Sequence, residues 1–535
     1  MARGRIEIPI ALLIRELNAN KKIEDLEIMD DQSTDVANTG GQALLDCLQR
    51  QNLTLDTDLY EFTMSAGYRL LGRGDRMACF DVYYRQNPDN GGFCVFAGLE
   101  SVINYINNLE IFPDDLEYLS GTGVFSREAL EALGSGIRFT GDVWAVPEGT
   151  IVFPNEPLIR ITGPISQSQI LETTLLALVG HQTLIATKAA RLCIAAKGAP
   201  VIDFGTRRAH GTQAAFYGAR AAYIGGCAGT SNVKAGKVFG IPVKGTHAHS
   251  WVESFENEID SFRGFCEVFP NHSVLLVDTY DTIQGVRNAI QVGRELKLRG
   301  KHLIGIRIDS GDLAYYSKTA REMLNEAGFH DTKILASSDL DEWLIESLQQ
   351  QGAQIDIWCV GTRLMTSYQT PALGIVYKLM AVDHGDGGMV PRIKISHNPN
   401  KITNPGVKKI FRFYNGGNRM IGDLIAQIDE PIPHAKSVKA HHPMYDYMKK
   451  LYKPPFETVE LMVPVFLKGE QVYDCPPPAN VRNHVFQQLD EIEPELKRFS
   501  NPHIYKVSLS EKLYRVKKNL LSFHQNKLKP ENRRY

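Results

Sequence analysis

The sequence predicts an α/β fold: an irregular, TIM-like α/β barrel, with an α+β domain built from N-terminal and C-terminal segments. Three observations carry this. After residue 200, short apolar runs alternate with helical patterns and no hairpin turns intervene, the signature of a parallel sheet. Polar and charged residues gather at the C-terminal ends of those runs, the rim on which barrel enzymes build their sites. Before residue 200, β-branched segments are separated by Pro-Glu-Gly and Pro-Asn-Glu-Pro turns, which reads as antiparallel pairing. An open, doubly wound sheet is the competing arrangement.

The chain has 535 residues, too many for one simple domain. The texture divides it at 1–52, 53–199, 200–412 and 413–535. Residues 1–52 read as an N-terminal extension. The start imitates a signal peptide, but Glu7 interrupts its apolar part and Arg15-Glu16 replace a cleavage site. Glu24 to Asp35 is acidic, polar and expected to be mobile. In 53–199 the spacing predicts a helix from Asp56 to Tyr68. Strands are predicted at Met77–Tyr84, Gly92–Ala97 and Ile137–Thr140, antiparallel pairs between Val143 and Pro164, and a long helix from Ser168 to Ala196.

In 200–412 strands are expected at Val201–Phe204, Ala221–Ile224, Ile241–Val243, Val274–Asp278, Leu303–Asp309, Lys333–Ser337 and Ile355–Val360. The clearest helices between them are Thr282–Leu298, Leu313–Ala327 and Asp341–Gln350. Lys394 to Arg412 is basic and turn-rich. From 413 onward the chain is mixed and charged, ends in helical stretches and a basic tail, and is expected to pack back on the first domain.

Hydrophobic residues make up 43% of the chain and charged ones 22%, enough apolar material for a large core. A formal net charge of −2 asks for neither nucleic acid nor an anionic membrane. No apolar run approaches the ~20 residues that span a bilayer. The eight cysteines form no Cys-x-x-Cys pair and read as reduced thiols of a cytosolic protein.

Gly245-Thr-His-Ala-His-Ser250 follows an apolar run and precedes a helical pattern. His247 and His249 face one side of an extended chain. A zinc pair would need a third ligand, for which His210 is a weak candidate. A nucleophilic histidine needs only an orienting carboxylate, which Asp203 or Asp278 could supply. Arg307 lies in an apolar strand and needs a partner. Either it pairs with Asp309 or Asp278, or its fork grips a substrate carboxylate or phosphate. Gly361-Thr362, with Ser337-Ser338 one strand earlier, could cradle a phosphate on backbone N–H groups. Asp278 could meet Mg²⁺ carried by a polyphosphate, whereas Asp281 reads as a helix cap. Neither a lysine nucleophile nor a complete metal triad stands at the strand ends, against a barrel aldolase or hydrolase.

Together these motifs resemble nicotinate phosphoribosyltransferases. They are Thr-Asp-Leu-Tyr at 57–60, the Arg207-Arg208 loop, Gly-Gly to Ala-Gly at 225–236, Gly-Thr-x-Ala-His-Ser at 245–250, Arg-x-Asp-Ser-Gly-Asp at 307–312 and Val-Gly-Thr at 360–362. The resemblance implies transfer of ribose 5-phosphate from phosphoribosyl pyrophosphate to nicotinate, coupled to ATP hydrolysis, in NAD biosynthesis. It implies that His249 is transiently phosphorylated, with Asp278 as the second catalytic residue. Tyr60 would stack on the pyridine ring, often from the neighbouring subunit of a homodimer with shared active sites. Arg307 and Thr246 would hold the nicotinate carboxylate, and Arg207 would lie near the base or pyrophosphate. Asp309 would bind the ribose hydroxyls, and Ser337, Gly361 and Thr362 the phosphate side. Mg²⁺ or Mn²⁺ would arrive with the substrate, and His247 would have no direct role. Nicotinamide-using relatives are the alternative, but they carry an acid about where this chain has Ser231-Asn232, and that acid would repel a carboxylate.

Overall fold

The structure, a computed structural model, describes residues 52–528 except 135–136, 386 and 433–435. The expectations for the N-terminal extension and for the last residues of the basic tail lie outside the described residues. The rest forms one compact unit.

Six short parallel strands carry the site: β1 (Val201–Asp203), β2 (Gly229–Thr230), β3 (Val274–Leu276), β4 (Gly305–Ile308), β5 (Lys333–Ala336) and β6 (Ile357–Val360). Their order is β2-β1-β6-β5-β4-β3. Val243 adds a single parallel bridge to Thr230 at the β2 edge. Between that edge and β3 no strand pairs among the described residues. The imidazole of His247 crosses the gap instead, Nε2 accepting from the Leu276 N–H at 3.1 Å. The barrel is therefore irregular, closed on one side by a side chain.

The strands form because their apolar side chains are covered on both faces. Leu275, Ile306, Ile308, Ile334, Trp358 and Val360 are buried on one face, and Ile202, Leu335 and Cys359 on the other. The helices that follow start where Asp or Asn can accept a free backbone N–H. Asp281, Asp312 and Asp341 each cap the N–H three residues on. The helix Thr282–Leu298 also packs closely on the Val277 carbonyl. A Cβ on Gly285 would come within 1.9 Å of that oxygen, so only glycine fits.

The α+β domain is built from both ends of the chain, as expected. Its seven-stranded sheet runs Met389–Pro391, Ile375–Asp383, Met77–Tyr84, Ile159–Pro164, Asp142–Ala145, Val463–Leu467 and Glu470–Gln471. The helix Glu172–Ala195 lies where the sequence places it.

Four local expectations differ. Ala221–Ile224 is not a strand but the end of the helix Thr212–Ile224, whose Ala219, Ala221 and Ala222 are buried. A short alanine-rich run suits either structure by pattern, and alanine's propensity favours the helix. Ile241–Val243 makes one bridge only, and Ile137–Thr140 forms no strand. From Lys408 the chain builds a six-stranded sheet. Charges disguised it: Arg412 and Asp423, buried in adjacent strands, neutralise each other.

Candidate active site

The C-terminal ends of β1, β4, β5 and β6 and the loop Gly245–Ala248 surround a cavity of 520 Å³. β1 ends in Asp203, which is buried and holds the next turn: Gly205 N–H donates to Oδ1 and Thr230 Oγ1 to Oδ2, each at 2.7 Å. Burial pushes its carboxyl up to about 6. Gly205 packs so closely that a Cβ would meet Met365 Cβ at 2.6 Å and the Gly361 carbonyl at 2.9 Å. This contact brings the Thr206–Arg208 turn beside Gly361 and Thr362. Arg207 and Arg208 both line the cavity, and neither forms an ion pair with a described residue.

β4 supplies the centre. Arg307 is 8% exposed; its Nη1 donates to Thr246 Oγ1, and Nη2 stands 4.0 Å from Asp309 Oδ1. Its Nε is buried with no partner, and its guanidinium lies over the Phe204 ring at 5.8 Å. A structural ion pair would use this fork fully. Here a hydroxyl holds one arm and donors remain for an anion in the cavity.

Asp309 takes the Ser337 hydroxyl on Oδ1, and its Oδ2 stands 3.7 Å from His249 Nε2. His249 Nδ1 meets Thr279 Oγ1 at 3.1 Å. The carboxylate facing the histidine is thus Asp309, not Asp203 or Asp278. The spacing of Arg307 and Asp309 carried that signal, because residues two apart on a strand face the same side. Thr279 had no sequence signal beyond its place after β3.

Asp278 works one layer back. Its Oδ2 accepts from Asp309 N–H at 2.9 Å and from Ser310 Oγ at 2.6 Å, and its Oδ1 is buried without a partner. Asp281 is the cap that the sequence suggests. Ser337 is buried at the rim, and Ser338 beside it has φ +121°, a strained conformation for a residue with a Cβ. Burial and the nearby Arg307 push His247 down to about 4, which keeps Nε2 an acceptor for Leu276. Asn232 spends its amide oxygen on the Ala235 N–H as a helix cap, and Ser231 lines the cavity.

Tyr60 is not among the lining residues. It lies 44% exposed on the helix Leu59–Leu70, where partial burial, Glu172 and Glu61 push its hydroxyl up to about 12. No helix among the described residues is long and apolar enough to cross a membrane.

Taken together, the cavity is lined by a buried cation with spare donors, a carboxylate that stands between it and the neighbouring His249, and the small residues Gly361 and Thr362. Comparison with known proteins shows the family. Three family models match in succession: the nicotinate phosphoribosyltransferase N-terminal domain over 55–180, the family itself over 200–401 and the C-terminal domain over 407–517. A nicotinate phosphoribosyltransferase of Bacillus subtilis strain 168 is 44% identical over 462 residues, covering 86% of this chain and 93% of the relative. One from Mycobacterium tuberculosis H37Rv is 39% identical, covering 86% and 92%. The crystal structure of human nicotinic acid phosphoribosyltransferase superposes with a TM-score of 0.77 at 28% identity, covering 87% of this chain and 99% of that one. On the fold, the site and these relatives together, the chain belongs to the nicotinate phosphoribosyltransferase family.

Proposed function

We propose that this chain joins nicotinate to the ribose of phosphoribosyl pyrophosphate and couples the transfer to ATP hydrolysis through His249. The observation that carries this is the run of contacts from Arg307 through Asp309 to His249, Arg307 Nη2 standing 4.0 Å and His249 Nε2 3.7 Å from the Asp309 carboxylate, with Arg307 keeping an unpaired N–H. Asp309 orients the imidazole and favours its proton on Nε2, and the Nδ1 lone pair attacks once the Thr279 hydroxyl, 3.1 Å from it, turns away. Nδ1 takes the γ-phosphoryl group of ATP and ADP leaves. Arg307 and Thr246 grip the nicotinate carboxylate. Gly361, Thr362 and Ser337 hold the phosphate end of the second substrate, and Arg207 faces its pyrophosphate. The C1–O bond to pyrophosphate breaks as the pyridine nitrogen bonds C1. The positive charge that develops on the ribose is met by Asp309, and the leaving charge by the arginines. Water then cleaves the phosphohistidine to phosphate.

Among the described residues no three carboxylates, imidazoles or thiols gather as a ligand set. The unpartnered Asp278 Oδ1, together with Asp309, offers oxygen donors to Mg²⁺ or Mn²⁺ arriving on the polyphosphate. The ion would neutralise the leaving group. Tyr60, exposed and away from this chain's own cavity, fits a role across a homodimer. The seven free cysteines of the described residues fit the cytosol.

The test is pyrophosphate release from phosphoribosyl pyrophosphate with Mg²⁺, comparing nicotinate, nicotinamide and quinolinate, each with and without ATP. Nicotinate-dependent release that rises with ATP is expected. Preference for nicotinamide would move the substrate assignment to the alternative, and no release with any base would remove the function.

A further inference from the structure

A second and larger cavity, of 860 Å³, lies at the other end of the parallel sheet. It borders Val201, the first residue of β1, and Ala228 just before β2, whereas the active-site cavity lies beyond the opposite ends of the strands. Its walls come from the end of the helix Glu172–Ala195, the helix Pro478–Glu491 and the segment Pro494–Ser500. Nothing in the transfer reaction uses these residues.

The lining is of two kinds. Ile194, Val201, Phe486, Leu489 and Phe499 form an apolar wall with two aromatic rings. Lys197, Arg482, Lys497 and Arg498 face Glu346 and Asp490, and Arg498 also meets Glu495 at 3.6 Å, so the four cations exceed the three carboxylates by one charge. Arg482 is built in rather than loose. Its Nη2 donates to the Gly226 carbonyl at 3.0 Å, and its guanidinium lies against Tyr223 at 5.3 Å and Phe486 at 4.7 Å. Its Nε is buried without a partner. A buried donor left unpaired costs about 1–3 kcal/mol. Lys497 donates only to a carbonyl, that of Leu489 at 2.9 Å, and burial pushes its ammonium pKa down. Anchored cations beside aromatic rings in a concave site suit a ligand with a flat apolar body and a negative group.

We propose that this cavity is a second ligand site, for an aromatic organic anion of two or more rings bearing a carboxylate, sulfonate or phosphate, with Arg482 as its charge partner. The probe is 1-anilinonaphthalene-8-sulfonate, followed by its fluorescence in the full-length protein. N-phenyl-1-naphthylamine, the same ring body without the charge, is its control. The sulfonate is expected to bind saturably and at least about tenfold more tightly than the amine, the worth of one charge-assisted hydrogen bond. Arg482→Gln and Arg498→Glu should each weaken the sulfonate by about tenfold or more. Arg307→Gln, in the upper cavity, should leave it unchanged. Arg498 is exposed, so its variant decides the matter even if Arg482→Gln folds poorly. Equal binding of the two dyes, undiminished binding in the Arg498 variant, or loss confined to the Arg307 variant would each overturn the assignment.

Discussion

In the proposed reaction Arg307 and His249 divide the chemistry, and each role predicts a different kinetic signature. Arg307 keeps its Nε free and spends one arm on Thr246, so its spare capacity points at a bound anion. Arg307→Gln should raise the nicotinate KM by roughly 10–100-fold, the worth of a hydrogen bond to a charged group, while the ATP KM stays near that of the parent. Steady-state kinetics with each substrate varied in turn reads this directly. Equal rises in both constants would instead mark Arg307 as a structural partner of Asp309. His249 is tested by covalent chemistry. In His249→Ala, γ-labelled ATP should transfer no label to the protein and ATP should no longer stimulate pyrophosphate release. Label retained in that variant would place the phosphoryl acceptor elsewhere. Much at this scale was legible in the sequence, because strand-end polar residues are few and a barrel collects them at one rim. Second partners were not. That Asp309 rather than Asp278 faces His249, and that Asp278 supports Asp309 from behind, depends on how far each strand extends past its last ladder bond.

At the scale of elements, the barrel's missing strand pairing is replaced by one imidazole, and this makes His247 a stability residue. The folded chain holds it neutral, with a pKa near 4 against an ordinary value of 6.5. As pH falls from about 6.5 towards 4, the unfolded chain takes up a proton that the folded chain refuses, so stability falls with it. The full penalty, about 3 kcal/mol, is reached below the folded value. His247→Ala should cost about 1–3 kcal/mol at pH 7, because the Leu276 N–H loses its acceptor, and should flatten the loss of stability between pH 6.5 and 4. Urea midpoints across that range check both effects, and an unchanged slope would assign the titration to another group. The helices Thr282–Leu298 and Glu342–Gln350 were readable because their caps and apolar spacing agree. The strands from Lys408 to Glu460 were not, since Lys408 is buried there by a partner distant in sequence, Asp81, and Arg412 and Asp423 by each other across two strands whose pairing the charges conceal.

At the scale of the whole molecule, those buried charges join the two ends of the chain. Lys408 Nζ meets Asp81 Oδ2 at 2.8 Å, linking the C-terminal sheet to the N-terminal strand Met77–Tyr84. Arg412, fully buried, forks onto Asp423 with contacts of 3.0 and 2.7 Å. Its Nη1 donates to Gln488 Oε1 at 3.3 Å, and the same oxygen accepts the Ile151 N–H at 3.0 Å. Phe153 lies against the guanidinium at 5.6 Å and stacks on Tyr505, whose hydroxyl donates to Asp423. Removing one member of such a pair leaves a buried charge uncompensated, at a cost of about 3–5 kcal/mol. Asp423→Ala should therefore destabilise the protein by that amount, and Arg412→Met in the same chain should restore part of it, since the doubly substituted site keeps only Glu156, whose burial favours the neutral acid. The partners of Arg412 come from residues near 150, 420, 490 and 505, so the damage should not stay local. Amide exchange in Asp423→Ala should quicken in the strand Met77–Tyr84 as well as in Met420–Gln427, because the segments that hold them share these contacts. Faster exchange in Met420–Gln427 alone would show that the C-terminal sheet opens as a unit of its own and that the interleaved strands do not bind the two ends into one cooperative body.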